Sequence, residues 1–331
     1  MRTVFLGTGS FALAALERLT SGPCAAELVG VVTQPDRPKG RGRKLQPGPV
    51  AVLAEASGIP VLKTPDVNDD ESVEWIRARS PKAGVVVDFG QILRRAVLDL
   101  PPEGYVNVHP SLLPRHRGAT PVPYTILRGD GFGGVTVQRV IRKMDAGPIL
   151  GQVATPVAPD ETAGDLADRL RPMGAELLVS VLDSIADGEA VATEQEESLA
   201  TMAPKLGSDD RVVDWSLPAA EVSRRIRAMS PRPAVAVFLE REEGPAMRVA
   251  LTRCVARDVA SASGASAEGG AREPGRIVAL ESDAVIVACG EGEVALLALK
   301  PAGKGEMDAG AFIRGYRPEP GARFATVEPA V

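Results

Sequence analysis

Aromatic residues are scarce in this 331-residue chain: Phe, Trp and Tyr together make up 4% of it. Its cores must therefore be built mainly from Ala, Val, Leu and Ile. Cysteine occurs three times, at Cys24, Cys254 and Cys289. An odd, scattered set gives neither a disulfide framework nor a metal-binding spacing, so small core residues in a reducing compartment are expected. No metal site is expected from any other residues. No apolar run approaches the ~20 residues of a membrane-spanning helix, and Met1-Arg2 leads straight into Thr3-Val4-Phe5-Leu6, which reads as a first strand and not as a signal peptide. A cytoplasmic location, no membrane partner and a monomer are the expectations. Neither sign of charge dominates: the formal net charge is -5, which argues against coating of nucleic acid by the whole surface and leaves room for a local basic patch.

What is present is ordinary for a soluble globular protein, with 44% apolar and 24% charged residues. At about 150 residues per domain the length suggests two domains. In the first half, valine-rich runs bounded by Gly or Pro (Val4 to Leu6, Leu28 to Thr33, Val85 to Val87, Tyr105 to Val108) alternate with helical stretches at Phe11 to Leu19, Pro49 to Ala56 and Glu71 to Arg79. Strands apolar on both faces, separated by helices, predict a parallel, doubly wound, Rossmann-like α/β sheet. Val135 to Val140 and Ile149 to Val157 read as further strands, and Thr162 to Asp187 as a long helix. The expected domains are residues 1–189, a polar linker at 190–208, and residues 209–331. The last comprises a helix (Ala219 to Met229) and short strands (Ala234 to Leu239, Met247 to Cys254, Ile277 to Leu280, Ala284 to Ala288, Val294 to Leu299), which suggest a small β-barrel. Ser261 to Gly270 reads as a surface loop in it.

Gly7-Thr8-Gly9-Ser10-Phe11-Ala12 fits the dinucleotide fingerprint G-x-G-x-x-A after a first strand. The second strand ends in Thr33-Gln34, without the acidic residue that would hold a ribose. A tight strand-to-helix turn is the plainer reading.

The two histidines, His109 and His116, share one segment, Asn107-Val108-His109-Pro110-Ser111-Leu112-Leu113-Pro114-Arg115-His116-Arg117-Gly118, at the carboxyl end of a predicted strand. Ligands of open α/β sheets bind outside such ends. Asn107 and His109 are two apart and can project from one strand face. Histidine suits proton transfer near neutrality, a carboxamide can donate to an oxyanion, and Asp145 is a candidate to orient the imidazole. By spacing alone, a cap that satisfies loop backbone explains Asn107 and His109 equally well.

The joint pattern resembles the folate-dependent formyltransferases: Asn-x-His at 107–109, Ser-Leu-Leu-Pro at 111–114, Arg-x-Arg-Gly at 115–118, Gly129-Asp130, Gly134-Val135-Thr136 and Asp145-Ala146-Gly147-Pro148, in order. The resemblance implies a Rossmann-like formyltransferase domain followed by an OB-fold-like barrel. It implies catalytic roles for Asn107, His109 and Asp145, and folate contacts along Ser111, Leu112, Leu113 and Pro114, with Leu113–Pro114 a candidate cis bond. It also implies that the backbone of Phe89, Gly90, Ile92 and Leu93 receives the pterin-like ring. The formyl donor it implies is 10-formyltetrahydrofolate.

The loop Thr33 to Leu45 clusters Arg37, Lys39, Arg41, Arg43 and Lys44 on a glycine-rich backbone, suited to phosphate contacts. With arginines 224, 225, 227 and 232 in the C-terminal domain, and Val213-Asp214-Trp215-Ser216 opening it, the resemblance implies initiator methionyl-tRNA as acceptor. A sugar or small-metabolite amine as acceptor, an NAD-dependent dehydrogenase and a pure RNA-binding module are the rival readings. The chain departs from the family pattern at Gly9, where proline is usual, at Asp88, where alanine is frequent, and at Arg232-Pro233, where an aromatic or Trp-Pro pair is common.

Overall fold

The structure, a computed structural model, describes residues 1–39, 44–240, 245–258 and 273–327. The loop expected at Ser261 to Gly270 lies outside them. The chain forms two compact units: residues 1–121, 133–155 and 167–204 in the first, and residues 122–132, 156–166 and 205–331 in the second.

The chain begins with strand β1 (Arg2–Gly7), helix α1 (Ser10–Ser21) and strand β2 (Glu27–Thr33), followed by a short hairpin of β3 (Arg37–Lys39) and β4 (Lys44–Gln46). Helix α2 (Pro49–Ala56), β5 (Val61–Lys63), α3 (Asp70–Arg77), β6 (Ala83–Val87), α4 (Arg95–Leu98) and β7 (Tyr105–His109) continue the alternation. Helix α5 (Pro121–Leu127), β8 (Phe132–Arg139), β9 (Ile149–Pro156) and the 25-residue α6 (Ala163–Asp187) follow. The main sheet has the order β5-β2-β1-β6-β7-β8-β9. Its first five strands pair in parallel, as the alternation predicts. The further strand β8, for which the sequence gives no direction, pairs antiparallel with β7, Asn107 opposite Gln138 and His109 opposite Thr136. The strand interiors are shut from water: Val4, Phe5, Leu6, Val31, Val32, Val85 and Val87 are fully buried.

The stretch expected as a linker is divided. Residues 190–204 belong to the first unit. Thr193 exchanges two backbone hydrogen bonds with Ile149, and Ala203 N donates to Arg117 O at 2.7 Å. Polar composition reads as linker, but its backbone groups are paired here through bridges to distant chain, which no local pattern reveals.

In the second unit α7 (Ala219–Ala228) precedes β10 (Val235–Leu239), β11 (Met247–Arg257), β12 (Ile277–Leu280), β13 (Val285–Ala288) and β14 (Glu293–Pro301). Then come β15 (Met307–Asp308), α8 (Ala309–Tyr316) and β16 (Phe324–Ala325). The sheet order is β12-β13-β14-β11-β10-β16, and neighbouring strands along it run antiparallel. The register of β11 shifts between Leu251 and Cys254, which bends it. A bridge from Arg276 to Arg323 links the two edges, so the sheet curls into a half-barrel consistent with the OB-like expectation. Cys254 and Cys289 are buried as expected, whereas Cys24 is only partly so. Arg227 is buried, giving its guanidinium to Ser223 Oγ and the Glu161 carbonyl, and so serves packing in this unit.

Candidate active site

Strands β6 and β7 are neighbouring and parallel, so the segments that follow them, residues 88–94 and 110–118, leave the same edge of the sheet. This is where a doubly wound sheet places ligands. The two predicted folate segments thus come together.

Within the first segment the side chains of Phe89 and Leu93 do not face outward. Both belong to the buried cluster around Val4, Leu6, Ile76 and Tyr105. They anchor a backbone loop from which Ile92 projects, 72% exposed. Gly90 takes φ +74, a left-handed conformation that costs glycine little. The loop is held by side-chain amides. Asn68 Nδ2 donates to Ile92 O at 3.0 Å and its Oδ1 accepts from Arg94 N at 2.7 Å. Gln91 Nε2 donates to Thr64 O and its Oε1 accepts from Val67 N. Gln34 Nε2 donates to Phe89 O at 3.1 Å.

The second segment is clamped by β8 and β9. Thr136 Oγ1 accepts from Leu113 N at 3.1 Å and donates to Ser111 O at 2.7 Å. Gln152 Nε2 donates to Leu113 O at 2.7 Å. Ser111 and Leu113 are buried, while Leu112 and Pro114 are part-exposed. The Leu113–Pro114 bond is cis.

His109 and Asp145 meet here. His109 is 4% exposed, and its Nδ1 lies 3.7 Å from Asp145 Oδ1. Its Nε2 is 2.9 Å from the His116 carbonyl. A carbonyl oxygen only accepts, so Nε2 carries the hydrogen and the lone pair of the neutral ring sits on Nδ1, facing Asp145. Asp145, at φ +50, accepts from Gly118 N at 2.8 Å and from Gln138 Nε2 at 3.2 Å. Gln195 Nε2 reaches the Asp145 and Gly147 carbonyls at 2.9 and 2.7 Å and Gln138 Oε1 at 3.0 Å, and Gln195 Oε1 accepts from buried Arg117. A continuous polar network therefore fixes the aspartate. Asn107 is half-buried on the same strand face as His109, and its carboxamide has no hydrogen-bond partner among the described residues.

Sequence reasoning missed Gln138, Gln195 and Gln152, and carried Thr136 only as part of the Gly134-Val135-Thr136 match, without a role. A signal existed for two of them. Thr136 and Gln138 are fully or nearly buried polar residues in a strand whose neighbours Val135 and Val137 are fully buried, and buried polar side chains are the informative ones.

The glycine-rich turn is closed. A Cβ on Gly9 would stand 1.6 Å from Asp88 Oδ2. The Asp88 carboxylate accepts from Phe11 N at the start of α1; burial pushes its carboxyl above the ordinary range, against the pull of that bond and of Arg171. The helix N-terminus that a dinucleotide's pyrophosphate would need already holds a carboxylate.

Arg37 and Lys44 lie exposed on the β3–β4 hairpin. Arg41 and Arg43, and the Lys39 side chain, fall outside the described residues. Among the described residues no group of three or more His, Cys, Asp or Glu is placed to hold a metal ion.

A family model described as formyl transferase matches residues 1–182, and its C-terminal-domain counterpart matches residues 205–317. The methionyl-tRNA formyltransferase of Acidithiobacillus ferrooxidans is 43% identical over 320 residues, 97% of each chain. That of Citrifermentans bemidjiense is 41% identical over 321 residues, 97% of this chain and 95% of the relative. The chain belongs to the methionyl-tRNA formyltransferase family. More distant structures share the fold. WlaRD, a sugar 3N-formyl transferase solved with dTDP and 5-N-formyl-THF, superposes at TM-score 0.61 and 14% identity over 92% of this chain and 99% of that one. HypX from Aquifex aeolicus, solved with tetrahydrofolic acid, gives 0.58 at 19% identity over 95% of this chain and 48% of HypX.

Proposed function

We propose that the chain transfers the formyl group of 10-formyltetrahydrofolate to the α-amine of methionine esterified to initiator tRNA, giving N-formylmethionyl-tRNA and tetrahydrofolate, without a metal ion. The observation that carries this reading is the unengaged Asn107 carboxamide on the strand face that also carries the His109–Asp145 pair, in a chain with methionyl-tRNA formyltransferase relatives over nearly its full length.

The steps follow from which atoms are free. The neutral amine attacks the formyl carbon, a C–N bond forms, and the carbonyl oxygen becomes an oxyanion. Asn107 Nδ2 donates to it; preorganised donors of this kind act where charge develops. His109 Nε2 is committed to the His116 carbonyl, so Nδ1 is the nitrogen that meets the reacting atoms. It accepts the amine proton, and Asp145 stabilises the resulting imidazolium. Collapse breaks the bond to N10, and the proton passes from Nδ1 to that nitrogen. A protonated His109 donating to the oxyanion is the alternative that residue types alone allow; the Nε2 commitment favours the proton relay. The 3.7 Å gap between Nδ1 and Asp145 shortens once the imidazolium forms, as hydrogen bonds of unliganded sites commonly do. Ser111 to Pro114 and the backbone of Phe89 to Leu93 are the proposed folate contacts, with exposed Ile92 supplying apolar cover.

The deciding assay mixes the protein with 10-formyltetrahydrofolate and methionyl-tRNA in the presence of chelator. Formylmethionine should appear at the rate seen without chelator; absence of product would refute the function, and a loss restored by added metal would refute metal independence.

For tRNA capture, Arg37, Lys39, Arg41, Arg43 and Lys44 are the proposed phosphate contacts. Neutralising Arg41, Arg43 and Lys44 together should raise the tRNA KM about tenfold and flatten its salt dependence by about three in log–log slope, since each phosphate that is no longer neutralised lowers the slope by about one. The folate KM should stay unchanged. Equal losses on both substrates would contradict the assignment.

A further inference from the structure

Gln34 lies between the end of β2 and the β3–β4 hairpin, and both ends of its carboxamide are in use. Nε2 donates to Phe89 O at 3.1 Å, and Oε1 accepts from Arg37 Nη2. A Cβ on Gly90 would come within 3.1 Å of that same Nε2, so the amide fits tightly against the loop. The hairpin root is fastened beside it: Asp36 pairs with Lys63 of β5 at 3.0 Å. The other side-chain bonds of residues 89–94 run to the β5–α3 connection, from Asn68 to Ile92 O and Arg94 N and from Gln91 to Thr64 and Val67. Among the described residues, Gln34 is the side chain that ties this loop to the basic hairpin.

We propose that Gln34 is a positioning residue that couples the two substrate sites, so that folate seated on the 89–93 loop tightens tRNA capture by the hairpin, and the reverse. The inference rests on the substrate assignment made under Proposed function. Its physical basis is preorganisation. An exposed arginine loses about 2 kcal/mol of rotamer freedom when it is fixed. Arg37 has five N–H donors, so one contact to Gln34 leaves others for a phosphate. Gln34 can hold Arg37 only as firmly as Phe89 O holds Gln34. A folate ring that orders the loop fixes that carbonyl, hence the amide, hence the guanidinium, and the second ligand meets less disorder on arrival. Linkage makes the factor the same in both directions.

The test measures the Kd of the full-length protein for uncharged initiator tRNA with and without saturating tetrahydrofolate. Wild type should bind tRNA about fivefold tighter with tetrahydrofolate present, at the lower end of usual site–site coupling. Gln34→Leu should bring the ratio to about one. Gln34→Glu separates the two ends of the amide: it still accepts from Arg37 but has no donor for Phe89 O, and its ratio should also fall to about one. A merely structural role would lower melting temperature or both affinities and leave the ratio intact. A wild-type ratio of one, or a Gln34→Leu ratio equal to that of wild type, overturns the inference. If the wild type forms formylmethionine and binds both ligands but shows no coupling, the inference alone falls. If it binds neither ligand, the functional reading falls and takes the inference with it.

Discussion

Asn107→Ala should lower kcat by about 10²–10³ while tetrahydrofolate affinity stays within about threefold of wild type. The carboxamide makes no protein hydrogen bond among the described residues, so its removal breaks no scaffold. An interaction made only with the developing oxyanion affects turnover and not ground-state binding. His109→Ala should cost at least as much in kcat, because it removes the proposed relay nitrogen together with its hydrogen bond to the His116 carbonyl. Asp145→Ala differs in kind. The carboxylate also holds Gly118 N and Gln138 Nε2, so turnover and stability should both fall. Asp145→Asn retains an acceptor oxygen and should recover stability before it recovers rate. Steady-state kinetics with formylated product as readout, beside thermal melts, separate these outcomes. Near-wild-type turnover in all three alanine variants would remove the catalytic assignment.

Gly9→Ala should destabilise the protein by about 3 kcal/mol, and substitution of Asp88 should partly reverse the loss. The new Cβ would lie 1.6 Å from Asp88 Oδ2 and 2.4 Å from its Cγ. Asp88 must then move and give up its bond to Phe11 N at the α1 N-terminus. A lost cap costs about 1 kcal/mol and forced overpacking about 1–3 kcal/mol. For a unit of this size that corresponds to a drop in melting temperature of about 6–12 °C. Asp88 sits at φ +46, so glycine is the replacement that adds no backbone strain. Gly9→Ala/Asp88→Gly should therefore be more stable than Gly9→Ala alone. If the double variant shows the plain sum of the single losses, the two residues do not compete for one space. On this geometry, Gly9 and Asp88 share one space, and a side chain at position 9 excludes this placement of the Asp88 carboxylate.

The parts of the fold legible in the sequence are those set by local pattern. Strands buried on both faces show as valine runs, and α2 and β12 occupy the residues their patterns mark, Pro49–Ala56 and Ile277–Leu280. Strand β5 has three residues and β3 and β4 are short and charged, so periodicity has nothing to act on. The antiparallel turn at β8 is likewise invisible, because a valine-rich strand reads alike in either direction. At the site, period-2 spacing places Asn107 and His109 on one face, but Asp145 enters the sequence argument by resemblance. Its support comes from Gln138 and, 50 residues away, Gln195, and hydrogen bonds at that separation leave no local trace.

The bonds from Gln195 to the Asp145 and Gly147 carbonyls bear on how the gene can be divided. A catalytic fragment ended at residue 189, where composition suggests a border, would discard the amide that braces the aspartate, together with Thr201, whose hydroxyl accepts from His116 N. Chimaeras that exchange the C-terminal domain between relatives should therefore be spliced after Pro204. A junction placed upstream imports a foreign brace for the Asp145 loop along with the new domain, and any change in turnover would then be wrongly credited to that domain.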